Sequence, residues 1–115
     1  GIYFFSYQLY YDFSAYTTIA IGAARVLGFN LMQNFDRPMV AKNLANLWQR
    51  WHISLLEWLK DYLYNPLSKT KIPRPFVILI IFFIMGLWHG AGWNFVVWGL
   101  LNGVFLIFEV GTKKY

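Results

Sequence analysis

Apolar positions run along this chain in long blocks, and the polar positions between them mark out its elements. Residues 1–27 form the first block, rich in Phe and Tyr and then in small residues, with Asp12 and Arg25 as its only charges. That length predicts a membrane helix, since about 20 apolar residues cross ~30 Å of hydrocarbon. Asp12 falls in the middle, where an ionised carboxylate is costly in lipid, so it is expected to face protein or a watery cavity. Residues 28–38 carry Gly28, Asn30, Asn34 and Pro38 at short intervals and read as a loop. From 39 to 66 the period turns helical. Leu44, Leu47, Trp48, Trp51, Leu55, Trp58, Leu59 and Tyr62 fall on one face, and Arg50, Ser54, Glu57 and Asp61 form a stripe on the other. This predicts an amphipathic helix suited to the membrane interface, ended by Pro66. Residues 67–75 read as a short basic loop.

The last block, 76–110, is predicted to form membrane helices. No Asp, Glu, Lys or Arg occurs between Pro75 and Phe108. As one straight helix that run would measure ~51 Å at ~1.5 Å per residue, well beyond a bilayer core, so a break is expected near 86–92, where three glycines weaken the helix. The β-branched run Val77 to Phe83 could suggest a strand, but an unpaired strand cannot stand in lipid. Gly86/Gly90 and Gly99/Gly103 are small-xxx-small pairs, which let helices approach closely.

Composition strengthens the membrane reading. Of 115 residues only 13% are charged, against about 25% in soluble domains, while 58% are hydrophobic and 22% aromatic. Disorder is excluded by that apolar content. With no cysteine, the chain has no disulfide, no thiolate metal site and no cysteine nucleophile. The expected fold is all-α: a polytopic membrane protein fragment with two or three hydrophobic helical segments and an interfacial amphipathic helix. Starting at Gly1 and closing on Thr112, Lys113, Lys114 and Tyr115, it reads as a piece of a longer chain. The net charge of +5 does not point to nucleic acid. Seven of the ten basic residues lie between Asp36 and Arg74, as expected of a cytoplasmic loop between membrane segments.

Candidate chemistry centres on the two histidines. His89 lies within the uncharged run, ~21 Å of helix from Arg74, and is expected to be buried inside the ~30 Å core. Ionisable groups at such depth mark functional pathways, and a neutral imidazole has the form a general base needs. His52, at the edge of the amphipathic face, reads from spacing alone as an interfacial hydrogen-bonding side chain. Arg50, Glu57 and Asp61 read as a solvated face, and the six tryptophans as interfacial anchors. The sequence contains no metal motif and no nucleotide fingerprint.

Three segments carry a resemblance: Asn34-Phe35-Asp36-Arg37-Pro38; Leu47-Trp48-Gln49-Arg50-Trp51-His52-Ile53-Ser54-Leu55; and Trp58-Leu59-Lys60-Asp61-Tyr62-Leu63-Tyr64-Asn65-Pro66-Leu67. With Gly86-Leu87-Trp88-His89-Gly90-Ala91 and the upstream Tyr11-Asp12-Phe13-Ser14-Ala15-Tyr16, they resemble the membrane-bound O-acyltransferase (MBOAT) family. The similarity is to its bacterial branch of alginate O-acetyltransferases and teichoic acid D-alanyl transferases. Gln49 and Leu56-Glu57 depart from that branch's pattern.

The resemblance implies a central catalytic fragment of a multi-pass protein of the bacterial cytoplasmic (inner) membrane. His89 would match the catalytic histidine and His52 the second characteristic one. Arg50, Asp61, Asn34, Asp12 and Trp88 would be substrate-binding or supporting. It further implies an acyl thioester as co-substrate with no bound cofactor, a polysaccharide acceptor, and an acyl-carrier or periplasmic acyltransferase partner. The expected reaction is transfer of an acetyl group to hydroxyls of an extracytoplasmic, alginate-like polysaccharide. D-alanyl transfer from a carrier-protein thioester is the alternative enzyme, and a non-catalytic membrane scaffold or transport module the alternative class.

Overall fold

The computed structural model describes residues 1–112, and the basic residues Lys113 and Lys114 lie outside them. Its elements are α1 (Ile2–Val26), a 3₁₀ turn (Pro38–Val40), α2 (Leu44–Trp48), α3 (Ile53–Leu59), a π-helical turn (Lys60–Tyr64), α4 (Asn65–Ser68), α5 (Arg74–His89) and α6 (Trp93–Thr112). The described residues are all-α, with one isolated β-bridge between Phe35 and Trp51. Among them, α6 is the one helix both long and apolar enough to cross a membrane, whereas α5 is apolar but shorter.

The continuous amphipathic helix expected over 39–66 is not formed. Apolar residues keep a helical period across that segment, but the backbone breaks after Trp48 and restarts at Ile53, because residues 50–53 pair with the chain at 34–36 instead. Pro66 does not end the helix either. The backbone widens into the π turn just before it, and Pro66 sits in the first turn of α4, where its missing N–H goes unneeded. Residues 67 and 68 are accordingly helical rather than part of the basic loop.

The core is the apolar face of this broken segment laid on α5. Trp48, Leu55 and Leu59 pack with Val77, Ile81, Phe82 and Met85, of which Val77 and Met85 are fully buried. Glu109, near the end of α6, fixes the start of α2. One carboxylate oxygen accepts from the backbone N–H groups of Leu44 (2.8 Å) and Ala45 (3.3 Å), while Asn43 Oδ1 accepts from Asn46 N at 2.8 Å. Donors left without helical partners at a helix start are thereby satisfied.

The hairpin of α5 and α6 closes through glycine. A Cβ on Gly86 would lie 2.5 Å from the Phe95 carbonyl oxygen, and one on Gly99 would collide with the Phe82 carbonyl oxygen and sit 3.1 Å from Gly86 Cα. Here backbone packs on backbone. At Gly103 the nearest atoms are Phe82 Cβ (3.2 Å) and Leu79 Cδ2 (3.3 Å), a looser fit than the carbonyl contact at Gly99. Gly99→Ala is therefore expected to destabilise the full-length protein by ~1–3 kcal/mol, the usual cost of overpacking, and Gly103→Ala by less. Thermal unfolding in detergent orders the two, and a larger loss for Gly103→Ala would refute the backbone contact.

Candidate active site

The residues around His52 form a clamp. Asp36 N donates to Arg50 O and Ile53 N donates to Asn34 O, both at 3.0 Å, so the chain is held on either side of His52. Asn34 Oδ1 accepts from Ser54 N at 3.0 Å and from Ser54 Oγ at 2.6 Å. Arg50 Nη1 donates to the carbonyl and carboxylate of Asp36, each at 3.0 Å, and Arg50 Nε donates to Asn46 Oδ1 at 3.2 Å. Between these fixed points His52 adopts φ 48°, ψ 49°, in the left-handed region. That conformation costs a non-glycine residue about 1–2 kcal/mol. Hydrogen bonds worth about 1 kcal/mol each offset it.

An aromatic cluster backs the clamp. Phe35, buried at its centre, meets Tyr10 (5.5 Å, 77°), Phe13 (5.1 Å, 80°) and Trp51 (5.0 Å, 86°) edge to face. Phe13 also meets the His52 ring at 4.8 Å and 83°. These contacts attach α1 to the rest, and they explain the placement of tyrosine and phenylalanine at positions 10 and 13.

His52 and His89 both line one open, mainly apolar cavity of about 1020 Å³. Phe13, Trp48, Trp88, Trp98 and Asn102 contribute to its wall. His89 is the last residue of α5. It is exposed among the described residues, a correction to the burial expected of it. Gly86 takes the contact with α6 and Met85 belongs to the core, while the imidazole of His89 lines the cavity. Trp88 beside it is 70% exposed.

Arg50 and Asn34 belong to the clamp and are absent from the cavity wall. The structure does not bring Asp12 or Asp61 to the cavity. Asp12 is exposed on α1, and Asp61 is exposed in the π turn, accepting from Asn65 Nδ2 at 3.3 Å. Sequence reasoning missed Ser54, Phe35, Trp98 and Asn102 as site residues. Only the motifs containing Phe35 and Ser54 offered a signal, and nothing distinguished Trp98 from an interfacial anchor. Among the described residues, no cluster of His, Asp and Glu could hold a metal.

Burial, and secondarily the neighbouring His89, push the His52 imidazole below its usual value near 6.5. Nδ1 of His52 is buried without a hydrogen-bond partner among the described residues, which gives a proton there nothing to bind.

The sequence profile of the membrane-bound O-acyltransferase family (MBOAT) matches residues 1–114, and the chain belongs to that family. Over 118 residues it is 45% identical to the peptidoglycan O-acetyltransferase of Helicobacter pylori, covering 96% of this chain and 22% of that protein. It is 42% identical over 105 residues to a probable alginate O-acetylase of Azotobacter vinelandii, covering 89% of this chain and 21% of that one. Similarity to the teichoic acid D-alanyltransferase of Bacillus subtilis is lower, 32% over 128 residues, covering 99% of this chain and 32% of that protein. The chain thus spans about a fifth of the length of the first two relatives.

Two outcomes follow from the clamp. Asn34→Leu leaves Ser54 N and Oγ without their acceptor and is expected to cost about 1–3 kcal/mol. Adding Ser54→Ala should recover part of that loss in thermal unfolding, and no recovery would contradict the pairing. The second outcome concerns pH. The unfolded chain binds the His52 proton more readily than the folded one, so folding keeps its full advantage above about pH 6.5. It loses that advantage as pH falls through this value toward the lower folded pKa. His52→Asn tolerates the left-handed backbone and has no such proton. Its unfolding temperature should fall less between about pH 7 and pH 5 than that of the wild type, and parallel profiles would remove the assignment.

Proposed function

We propose that the full-length protein carrying this chain is a membrane-embedded O-acyltransferase that moves an acetyl group from a thioester donor to a hydroxyl of an extracytoplasmic polysaccharide. The observation that carries this reading is the meeting of His52 and His89 on one largely apolar cavity, large enough for an acyl chain and the reacting end of an acceptor. Family membership supplies the reaction class. Acetyl is favoured over D-alanyl because the O-acetylating relatives are 40–45% identical and the D-alanyltransferases 28–32%. The acceptors named for the relatives are alginate, peptidoglycan and teichoic acid, all cell-surface polymers. Peptidoglycan, not among the acceptors expected from the sequence, therefore joins alginate-like polysaccharide as an acceptor class.

In this mechanism His89 accepts the hydroxyl proton as the acceptor oxygen attacks the thioester carbonyl. The carbon–oxygen bond forms, the carbon–sulfur bond breaks, and the proton passes from His89 to the departing thiolate. This chain contains no cysteine, so no thiol acyl-enzyme forms on it. His52, whose backbone is clamped, orients the acceptor or donor. Arg50 and Asn34 act behind His52, on its backbone. Trp88 lines the cavity beside His89. No resident cofactor takes part, the thioester is a co-substrate, and an acyl-carrier or a periplasmic acyltransferase is the protein partner.

Placement in the bacterial inner membrane as a multi-pass protein fits the long apolar α6, the apolar α5 and the extensive exposed apolar surface of α1. The basic segment between Asp36 and Arg74 faces the cytoplasm in this arrangement. Asp12 and Asp61 lie away from the cavity, and any part they take is through neighbouring segments of the full-length protein.

Turnover of the full-length protein in membranes tests the roles of the histidines at matched abundance. His89→Ala and His89→Gln should each lose ~10²–10⁴-fold, the range of general-base catalysis, equivalent to about 2.7–5.4 kcal/mol of barrier. His52→Gln should be milder, because an amide can replace one imidazole hydrogen bond. Near-wild-type turnover by His89→Gln would remove the general-base role.

A further inference from the structure

Among the described residues, nothing hydrogen-bonds the His89 side chain; the ring contact it makes is with Trp98 on α6, at 5.1 Å between centroids and 84° between planes. Being at the end of α5, where the chain turns away through Gly90, the imidazole has little else to fix its rotation. An edge-to-face pair is worth about 0.5–1.5 kcal/mol beyond its buried area, enough to favour one orientation of an otherwise free ring. Trp98 can hold that orientation because it is itself held. Its ring meets Trp48 at 6.1 Å and 68°, and Trp48, largely buried, meets Phe82 at 5.4 Å and 73°. The next residue, Gly99, sits where α6 packs backbone to backbone on α5, which fixes the height of Trp98 along the hairpin.

We infer that Trp98 is a positioning residue for His89, the member of a ring stack from Phe82 through Trp48 that aims the imidazole across the cavity toward the acceptor hydroxyl. This inference rests on the acyl-transfer reading above. The ring chain also relates the two histidines, because Trp48 is the last residue of α2, at the edge of the break that carries His52. Trp98 takes no proton and donates none in the reaction; it acts through His89.

The test uses the full-length protein in membranes, with acetyl thioester and polysaccharide acceptor both varied. Trp98→Ala should lower kcat by ~10–100-fold, the scale of a misplaced catalytic group, and change KM for either substrate by no more than about threefold. Trp98→Phe, which keeps an edge-to-face partner, should stay within about threefold of wild type in kcat. In the double variant Trp98→Ala/His89→Ala the loss should equal that of His89→Ala alone, since a residue acting only through His89 has nothing left to act on. If the alanine variant fails to accumulate, Trp98→Leu replaces it in both comparisons. Multiplying losses in the double variant, a change confined to KM, or undiminished turnover by Trp98→Ala would each overturn the assignment. Absence of transfer by the wild type would instead remove the acyl-transfer reading beneath it.

Discussion

A short segment at 34–36 holds the chain on both sides of His52, and the rest of the site depends on that pairing. Were the amphipathic segment one helix, as its period allows, His52 would occupy an ordinary helical position and its flanking N–H groups would bond four residues back. The pairing of Asp36 with Arg50 and of Asn34 with Ile53 and Ser54 takes those groups out of the helix. What remains at position 52 is a left-handed residue, unusual for a side chain with a Cβ, and a fixed exit direction for the imidazole.

A second constraint acts from the other side of the cavity. Glycines at 86 and 99 let α5 and α6 touch through their backbones, so neither helix can slide or rotate far against its neighbour. His89 ends one helix and Trp98 belongs to the other, and the hairpin brings their rings together. Glu109 then ties the far end of α6 to the start of α2, the helix that carries Trp48. The same helices that form the core thus set both walls of the cavity, and the apolar core residues Leu59, Val77 and Met85 serve the site by keeping those walls in register.

Much of this was legible in the sequence, for identifiable reasons. The glycine pairs marked a close helix contact because small residues at four-residue spacing have few other uses in an apolar run. Leu55 and Leu59 were placed on a buried face by period alone, and the motifs around His52 and His89 pointed to the family. The break at 49–52 was not legible, because Leu47, Trp48, Trp51 and Leu55 keep helical spacing straight through it, and its cause lies about 20 residues upstream. Distance along α5 carries no information about which way His89 faces, so its exposure to the cavity was not legible. Asp61 looked like a site residue from its motif but lies in a π turn that accommodates Pro66, turned toward Asn65. Glu109 reads in sequence only as the end of the uncharged run. Its role as a cap appears once α2 is folded against α6.

The claim that joins these observations is that the acyl group enters the cavity shared by the two histidines. A diazirine-bearing acyl thioester, photolysed on the full-length protein in membranes and mapped by peptide mass spectrometry, tests it directly. Adducts are expected on the cavity wall, at residues such as Trp48, Trp88, Trp98 and Asn102, with labelling suppressed by unmodified donor. Donor-competed labelling confined to surfaces outside that wall, with none on these residues, would contradict it.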